Sequence, residues 1–250
     1  MEYLNGEKNG KAKEYYDNGK LQFDGEYLNE KKNGKAKEYY INGNLKFEGE
    51  YLNGYEYGKA KKYFENGKLE FEGQIFNGIK NGKAKEYYEN GKLEFEGVYI
   101  NGTKNGKAKE YFNTGKLEFE GEYIDGKKWN GKRFNFQGNE QYTIKNGKGK
   151  VKEFFSNGII SFEGDYLNGE RNGNGIEYYD NGKVKFKGQY SNNKKNGKGK
   201  EYYRTGDLLF EGEYSDGRKW NGKLFYENGN LLDGYVYGRL KSEKSSCIII

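Results

Sequence analysis

The sequence of 250 residues contains no proline, no histidine and a single cysteine, Cys247. One cysteine cannot form a disulfide within the chain, and without histidine it cannot complete the usual ligand set of a zinc site. No stretch approaches the ~18 consecutive apolar residues of a membrane-spanning helix. The first residues show no charged segment followed by an apolar one, so we expect no signal peptide and a cytosol-like compartment.

The composition is polar, yet it is rich in residues that form turns and aromatic cores. Hydrophobic and charged residues each make up 33% of the chain, and the mean hydropathy is -1.22, values that alone favour disorder. The 26 tyrosines and 16 phenylalanines argue for order, because rings at fixed positions bury large areas on one face of a thin sheet. Forty glycines and the absence of proline suit tight turns and continuous strand pairing.

A glycine in a Phe-x-Gly triplet recurs along most of the chain at intervals of 24 residues. It stands at Gly25, Gly49, Gly73, Gly97 and Gly121, and again at Gly164, Gly188 and Gly212. A fixed period of this size is typical of repeat architectures, in which each unit buries its apolar face against its neighbours. We therefore expect one continuous array.

Each unit has the pattern of a β-hairpin. Residues 93–99 alternate apolar and polar side chains and predict a half-buried strand, with Leu93, Phe95, Gly97 and Tyr99 on one face. A turn rich in Asn, Gly and Lys follows, and residues 107–112 predict a second strand. A further tight turn is expected to join each hairpin to the next.

The second strand carries a small residue at one recurring position, which we interpret as space for a ring of the neighbouring strand. The residues assigned to it are Ala12, Ala36, Ala60, Ala84, Ala108, Gly149, Gly175 and Gly199. On the opposite face, Lys107 and Lys109 are expected across from Glu118 and Glu120. Such cross-strand ion pairs contribute roughly 0.2–1 kcal/mol each.

The interval between Gly121 and Gly164 is longer than one repeat, and its sequence departs from the others. It contains Trp129 and is expected to form two short units without an inserted domain. Related sequence returns around Trp220, close to the end of the array. The predicted fold is therefore all-β: an elongated, twisted, single-sheet β-meander of about ten repeated hairpins over residues 1–240.

The repeated pattern Gly-x-Tyr-x-x-Gly-Lys-x-Asn-Gly, followed by an aromatic strand and Asn-Gly, resembles the MORN repeat. It is similar to the variant with Tyr and Asn-Gly where other copies have Trp and His-Gly, and the resemblance extends over roughly residues 2–240. It implies an elongated meander that serves as a scaffold, a membrane-associated adaptor or a phospholipid binder, often as a dimer. It also implies that catalysis, where MORN segments occur in enzymes, belongs to another domain, and none is expected here.

The last four residues, Cys247-Ile248-Ile249-Ile250, have the form of a CaaX prenylation box. A final isoleucine favours a geranylgeranyl group. The box lies on residues 241–250, which are predicted to form a flexible tail that a modifying enzyme can reach. The alternative interpretation is an incidental hydrophobic end or a final strand.

A single lipid gives only marginal, reversible membrane binding, so a second contact is expected. Arg239, Lys241 and Lys244 supply a weak basic supplement of about 1 kcal/mol each near an anionic leaflet. Trp129 and Trp220 share a Lys-Trp-Asn-Gly-Lys context that suits either an interfacial anchor or packing on their own units. Basic residues of the hairpin turns either line one membrane-facing edge or are ordinary solvated residues: Lys31, Lys32, Lys127, Lys128, Lys194, Lys195, Arg218 and Lys219.

A glutamate also recurs in most units, and in one unit Lys62 replaces it. These residues are Glu14, Glu38, Glu86, Glu110, Glu153, Glu177 and Glu201. We interpret them as a structural ladder and not as paired catalytic carboxylates. Without histidine or a unique polar cluster, the sequence offers no pair of nucleophile and base, so we expect no enzyme, no catalytic residue, no metal and no cofactor.

The net charge of +6 arises from 44 basic and 38 acidic side chains that are intermixed along the chain. A nucleic-acid surface requires a basic face, so nucleic acid is not expected as a partner. Stacked tyrosines would suit glycan binding by a secreted protein, but no export signal is seen.

Two functions are therefore weighed. The first is a non-enzymatic scaffold or adaptor, cytoplasmic and peripheral at the cytosolic face of a membrane, anchored by prenylation of Cys247 and docking proteins or lipid headgroups on its repeats. The second is a soluble scaffold with an unmodified tail, which self-associates, for example as a homodimer, through aromatic stripes or strand edges. Direct binding of phosphoinositides by the repeats is a minor third possibility, and the sequence does not identify the protein partner.

Overall fold

The computed structural model describes residues 3–4, 7–155 and 157–242, which form 23 β-strands. In chain order these are β1 (Tyr3–Leu4), β2 (Glu7–Lys8), β3 (Gly10–Tyr15), β4 (Leu21–Leu28), β5 (Lys31–Tyr39), β6 (Leu45–Leu52), β7 (Tyr55–Tyr63), β8 (Leu69–Phe76), β9 (Ile79–Tyr87), β10 (Leu93–Ile100), β11 (Thr103–Tyr111), β12 (Leu117–Ile124), β13 (Lys127–Phe134), β14 (Glu140–Ile144), β15 (Gly149–Phe154), β16 (Ile160–Leu167), β17 (Glu170–Tyr178), β18 (Val184–Ser191), β19 (Lys194–Tyr202), β20 (Leu208–Ser215), β21 (Arg218–Phe225), β22 (Leu231–Val236) and β23 (Arg239–Leu240). Within the described residues, no helix has the length and apolar character needed to cross a membrane.

The strands pair with their sequence neighbours in antiparallel ladders. Strands β3–β14 form a 12-stranded sheet, β15–β23 form a 9-stranded sheet, and β1 pairs with β2. The predicted all-β meander of repeated hairpins is confirmed, with its strands divided between two large sheets where one was expected. The division follows β14, which has only 5 residues against the 8 and 9 of a regular hairpin such as β10–β11.

The chain forms two compact units. The first comprises Met1–Gly126 and Arg133–Asn139, and the second comprises Lys127–Lys132 and Glu140–Ile250. Strands β3–β12 lie in the first unit and β15–β23 in the second. Within the described residues, the final strand, β23, ends at Leu240. Residues 243–250 lie outside the described residues, so the predicted tail stays a prediction.

The Asn-Gly pairs of the sequence form two different kinds of turn. Asn53 and Gly54 alone connect β6 to β7, and both have left-handed φ values, 52° and 89°. This geometry matches the right-handed twist of the strands and explains the choice of Asn and Gly. At the other end of each hairpin the turn has five residues: the Tyr88 N–H donates to the Lys92 carbonyl at 2.9 Å, and the Gly91 N–H donates to the Tyr88 carbonyl at 2.7 Å.

Strands after the two-residue turns begin earlier than predicted. The second strand of the central hairpin starts at Thr103 and not at Lys107. Because the turn consists only of Asn101 and Gly102, the residues that follow it pair at once with β10, and Lys104 lies across from Tyr99. The basic residues assigned to hairpin turns therefore lie on strands.

Aromatic rings on one face of each sheet form the core. Phe95 and Tyr99 on β10 are buried, and their ring centroids lie 5.3 Å apart in an edge-on arrangement. The phenylalanine of each Phe-x-Gly triplet is fully buried: Phe23, Phe47, Phe71, Phe95, Phe119, Phe162, Phe186 and Phe210. The thin, aromatic core predicted from the alternating pattern is confirmed.

The recurring small residue provides space for these rings. A Cβ on Gly175 would lie 2.6 Å from Cε2 of Phe162, a ring of the neighbouring strand β16. In β15, however, Val151 and not Gly149 occupies this position, because Val151 pairs with Gly164 while Gly149 pairs with Tyr166. The assignment of Gly149 is wrong, since the repeat on β15 is aligned by its aromatic end and not by its Asn-Gly turn.

Candidate docking face

The recurring glutamates are engaged on the aromatic face of the sheets. Glu110 lies 2.7 Å from Nζ of Lys104, and the Tyr99 hydroxyl donates to Glu86 at 3.0 Å. Nζ of Lys104 also lies 4.2 Å from the ring centroid of Phe95, in a cation–π contact. Basic side chains pair likewise with Glu14, Glu38, Glu86, Glu153, Glu177 and Glu201. This geometry supports their interpretation as a structural ladder.

The electrostatics of these pairs stabilise charged carboxylates and neutral phenols. Burial opposes ionisation of Glu153, but hydrogen bonds from Nη2 and Nε of Arg171, at 2.6 and 3.0 Å, outweigh it and hold the pKa of Glu153 below its usual range. Burial and a hydrogen bond to Glu14 raise the pKa of Tyr27 to about 12. Neither group is therefore poised to exchange a proton near neutral pH.

The opposite face of each sheet carries what we call the charged groove. Its floor is backbone at the small residues, such as Gly73 and Ala84, and lysines and acids rise on both sides. The groove is open to solvent, with a volume of about 1640 Å³ in the first unit and about 1050 Å³ for a similar groove in the second. Its shape is that of an open surface along many strands and not of an enclosed pocket.

One side of the groove in the first unit is a row of cross-strand ion pairs. They are Lys13–Asp24 at 3.2 Å, Lys37–Glu48 at 3.0 Å, Lys85–Glu96 at 3.7 Å and Lys109–Glu120 at 3.1 Å. The expected pairing of Lys109 with Glu120 is confirmed. Lys107, however, lies across from Glu122 and not from Glu118, which binds Arg133 at 2.6 Å instead. Because the strands are antiparallel, the step back from Lys109 to Lys107 is a step forward from Glu120 to Glu122, so Glu118 lies on the far side of Glu120.

On the other side of the groove, two lysines lack the acid that faces their equivalents. Lys35 lies across from Glu50, but Lys59 lies across from Gln74, and Lys83 lies across from Val98. Within the described residues, Lys59 and Lys83 form no ion pair. Equivalent residues of adjacent hairpins are two strands apart, roughly 10 Å. The two ammonium groups therefore form a local positive patch that can bind anionic oxygens.

The residues predicted to contact a membrane take different positions. The Trp129 ring packs on the turn at Gly147, and the Trp220 ring packs on Gly238 and lies 6.0 Å from the Tyr237 ring. Trp220 remains 38% exposed. Arg239 and Lys241 are exposed near the end of β23, whereas Lys244 and Cys247 lie outside the described residues.

The basic residues expected at one edge divide into two classes. Lys32, Lys195 and Lys219 are half-buried over phenylalanine rings and pair with glutamates, so they are not available to a membrane. Lys31, Lys127, Lys194 and Arg218 are exposed, with Lys127 bound to Glu170 at 2.6 Å and Lys194 to Asp216. Of the two alternatives, these positions do not favour one continuous basic edge, because alternate side chains of a strand point to opposite faces.

The patch at Lys59 and Lys83 was not predicted from the sequence. The signal was present in the sequence: Gln74 and Val98 stand where the other hairpins of the first unit have Glu26, Glu50 and Glu122. To see that these replacements leave two lysines without a facing acid, one needs the cross-strand register. That register was predicted incorrectly, as the partner of Lys107 shows.

Comparison with known proteins identifies the repeat. The family model described as MORN repeat variant matches residues 8–29, 32–53, 56–77, 80–101, 104–125 and 148–168, more than half of the chain, and the MORN repeat model matches residues 162–184 and 186–208. No curated protein matches the chain. Among solved structures, a chain of the "Crystal Structure of TcdB2-TccC3-Cdc42" is 10% identical with a TM-score of 0.24; the match covers 90% of this chain and 14% of that one.

Proposed function

The chain belongs to the MORN-repeat family, and on that premise we propose that it is a non-enzymatic scaffold, lipid-anchored through Cys247 at the cytosolic face of a membrane, with the charged groove as its docking surface. The observation that carries this proposal is the pair of lysines, Lys59 and Lys83, that face neutral residues in an otherwise charge-balanced groove. In the other hairpins of the first unit the equivalent lysine faces a glutamate, so the repeat itself does not account for two lysines that face neutral residues.

The docked group is anionic. A phosphate or carboxylate between Lys59 and Lys83 restores the charge balance that Glu50 provides opposite Lys35. Lipid headgroups and acidic protein segments both carry such groups. Flotation with vesicles that contain phosphatidylinositol 4,5-bisphosphate, and binding of an oligoglutamate peptide, separate these two sources. If the protein bound neither probe, the groove would have no docking role.

The membrane anchor rests on the Cys247-Ile248-Ile249-Ile250 sequence. Prenylation of its cysteine gives reversible membrane binding that a second contact strengthens, and the groove supplies that contact in this proposal. Intact mass of protein expressed in eukaryotic cells tests the modification: an added isoprenoid with loss of residues 248–250 is expected. A Cys247→Ser variant is expected to shift from the membrane to the cytosolic fraction, and an unchanged distribution would contradict the anchor.

A further inference from the structure

In several hairpins, the residue that follows the Phe-x-Gly triplet places a side-chain oxygen over a glycine of the next strand. A Cβ on Gly34 would lie 2.9 Å from Oε2 of Glu26, and a Cβ on Gly173 would lie 3.0 Å from Oδ2 of Asp165. The same contact recurs between Glu50 and Gly58, between Gln74 and Gly82, and between Gln189 and Gly197. A carboxylate or amide oxygen is therefore a repeated element at this position of the sheet.

These oxygens accept hydrogen bonds from the backbone. The Asn174 N–H donates to Oδ2 of Asp165 at 3.1 Å, and the Lys198 N–H donates to Oε1 of Gln189 at 2.9 Å. Each donor stands directly after its glycine, where the register of the two strands shifts. A residue at such a bulge falls out of the regular ladder, so the side-chain oxygen supplies an acceptor for its N–H.

The hairpin of β10 and β11 lacks this oxygen. The residue that should supply it is Val98, which carries no acceptor. Within the described residues, and apart from its two chain neighbours, no atom lies within 4 Å of a Cβ placed on Gly106. The register shifts beside Val98 as well, and Lys107 is the residue that corresponds to Asn174 and Lys198. We call the exposed surface formed by Val98, Gly106 and the Lys107 N–H the open acceptor site.

The charge beside the open acceptor site suits a group with a single negative charge. Lys83 lies directly across from Val98 and faces no acid there, whereas Lys107 has Glu122 across from it. One positive charge at this site is therefore left to a ligand. Glu96 also lines the groove next to the site, and it repels a doubly charged phosphate more strongly than a carboxylate.

From this arrangement we propose that the open acceptor site binds the side-chain carboxylate of an aspartate or glutamate in an acidic protein segment. One carboxylate oxygen accepts a hydrogen bond from the Lys107 N–H, as Asp165 does from Asn174 in the second unit, and the Lys83 ammonium group balances the charge. The partner thus supplies the oxygen that Val98 lacks. This assignment rests on the proposed docking role of the charged groove and places one contact of the partner within it.

Filling the site from within the chain tests the proposal. Val98→Gln introduces the oxygen that Gln74 and Gln189 provide in other hairpins, and it does not alter the net charge. The affinity of the full-length chain for an oligoglutamate peptide should fall about 10-fold or more, because one hydrogen bond to a charged group is lost. Val98→Ile is the matched control: it changes the same side chain without adding an acceptor and should bind the peptide as the parent does.

Amide NMR gives a readout at the donor itself. On titration of the parent with the oligoglutamate peptide, the Lys107 N–H resonance should move downfield as the proton gains an acceptor. In Val98→Gln it should lie downfield without peptide and respond little to it. The Lys198 N–H, which already donates to Gln189, is the internal control and should keep its position in both proteins.

Three outcomes would overturn the proposal. They are a parent chain that does not bind the peptide, an unchanged peptide affinity of Val98→Gln, and a Lys107 N–H that responds to vesicles containing phosphatidylinositol 4,5-bisphosphate but not to the peptide, which would assign the site to a phosphate group. Lys59→Gln with Lys83→Gln separates this failure from failure of the groove. If that variant lost affinity and Val98→Gln did not, the groove would keep its docking role and only the carboxylate site would be wrong.

Discussion

Glu56 and Lys62 form an ion pair, with Lys62 Nζ 2.7 Å from Glu56 Oε2. The acid and the base stand in the opposite order from the equivalent pairs of neighbouring repeats. In the next hairpin, Lys80 and Glu86 occupy the same two positions in the opposite order. In other repeats a tyrosine hydroxyl donates to the glutamate at the position of Lys62, as Tyr51 does to Glu38. In the repeat of Lys62 this tyrosine is replaced by Ile75. This is consistent physically, because an ammonium group cannot accept the hydrogen bond that a tyrosine donates.

The exchange predicts a strong coupling between Glu56 and Lys62. Glu56→Lys alone places two ammonium groups side by side in a half-buried site and should lower the free energy of unfolding by about 2 kcal/mol. Adding Lys62→Glu restores the charge order of the neighbouring repeats and should return stability to within about 0.5 kcal/mol of the parent. Urea denaturation of the four proteins of the double-mutant cycle measures the coupling.

Glu65→Lys provides the control for net charge in that cycle, because Glu65 is exposed in a five-residue turn. It should change the free energy of unfolding by less than about 0.5 kcal/mol. Equal losses for Glu56→Lys and Glu65→Lys would show that net charge, and not the ion pair, sets the effect.

The tyrosine hydroxyls of the aromatic face contribute to stability through charged acceptors. Tyr51 is buried and donates to Glu38 at 2.9 Å. Tyr51→Phe keeps the ring and removes this hydrogen bond, so the free energy of unfolding should fall by about 1.5–3 kcal/mol. Tyr15→Phe, at an exposed position, should have little effect in the same thermal or urea unfolding measurement. Comparable stability of the two variants would contradict a structural role for the tyrosine hydroxyls of the aromatic face.

Two glycines that face each other in the second unit should respond differently to the same substitution. A Cβ on Gly188 would lie 2.6 Å from the Gly199 Cα and 2.6 Å from the Lys198 carbonyl oxygen, so backbone would have to move. A Cβ on Gly199 would meet chiefly the Phe186 ring and no backbone, and alanine occupies the same repeat position in the first unit, as at Ala84. We expect Gly188→Ala to cost about 3 kcal/mol and Gly199→Ala less than about 1 kcal/mol by urea denaturation. The reverse order would refute this account of the small positions.

This asymmetry could be foreseen only in part. The sequence predicted which residues are small, because Ala36 and its equivalents recur at the repeat interval, and it predicted the buried phenylalanines from the period of two. It did not predict which partner each lysine faces, since cross-strand register depends on where the turn ends and on the register shifts within each hairpin. That is why Lys32 was assigned to a solvated turn, although it lies over the Phe23 ring, and why Lys59 and Lys83 escaped notice.

The acid dependence of stability should involve Glu153. Its pKa is depressed in the folded state, so the stability it contributes is present above its unfolded pKa and is lost as pH falls through its folded pKa. Arg171→Gln removes the hydrogen bonds responsible and should make the free energy of unfolding less dependent on pH below about pH 5. Lys152→Gln, which removes an exposed partner 3.9 Å from Glu163, should leave the acid slope unchanged. Unfolding by urea at a series of pH values measures both, and parallel profiles for the parent and Arg171→Gln would contradict the assignment.

The positive patch of the charged groove gives the sharpest test of docking. Lys59→Gln with Lys83→Gln removes two charges that face Gln74 and Val98, and each lysine near an anionic surface contributes about 1 kcal/mol. Affinity for vesicles containing phosphatidylinositol 4,5-bisphosphate, or for an oligoglutamate peptide, should therefore fall about 30-fold.

Lys150→Gln with Lys198→Gln makes the same change in net charge at the same repeat position of the second unit, where each lysine lies across from an acid, Asp165 or Glu213. That control should lose little affinity, since each of those lysines already faces a carboxylate. If both double variants lost affinity equally, binding would follow net charge alone, and the exchange of glutamate for Gln74 and Val98 would have no part in recognition.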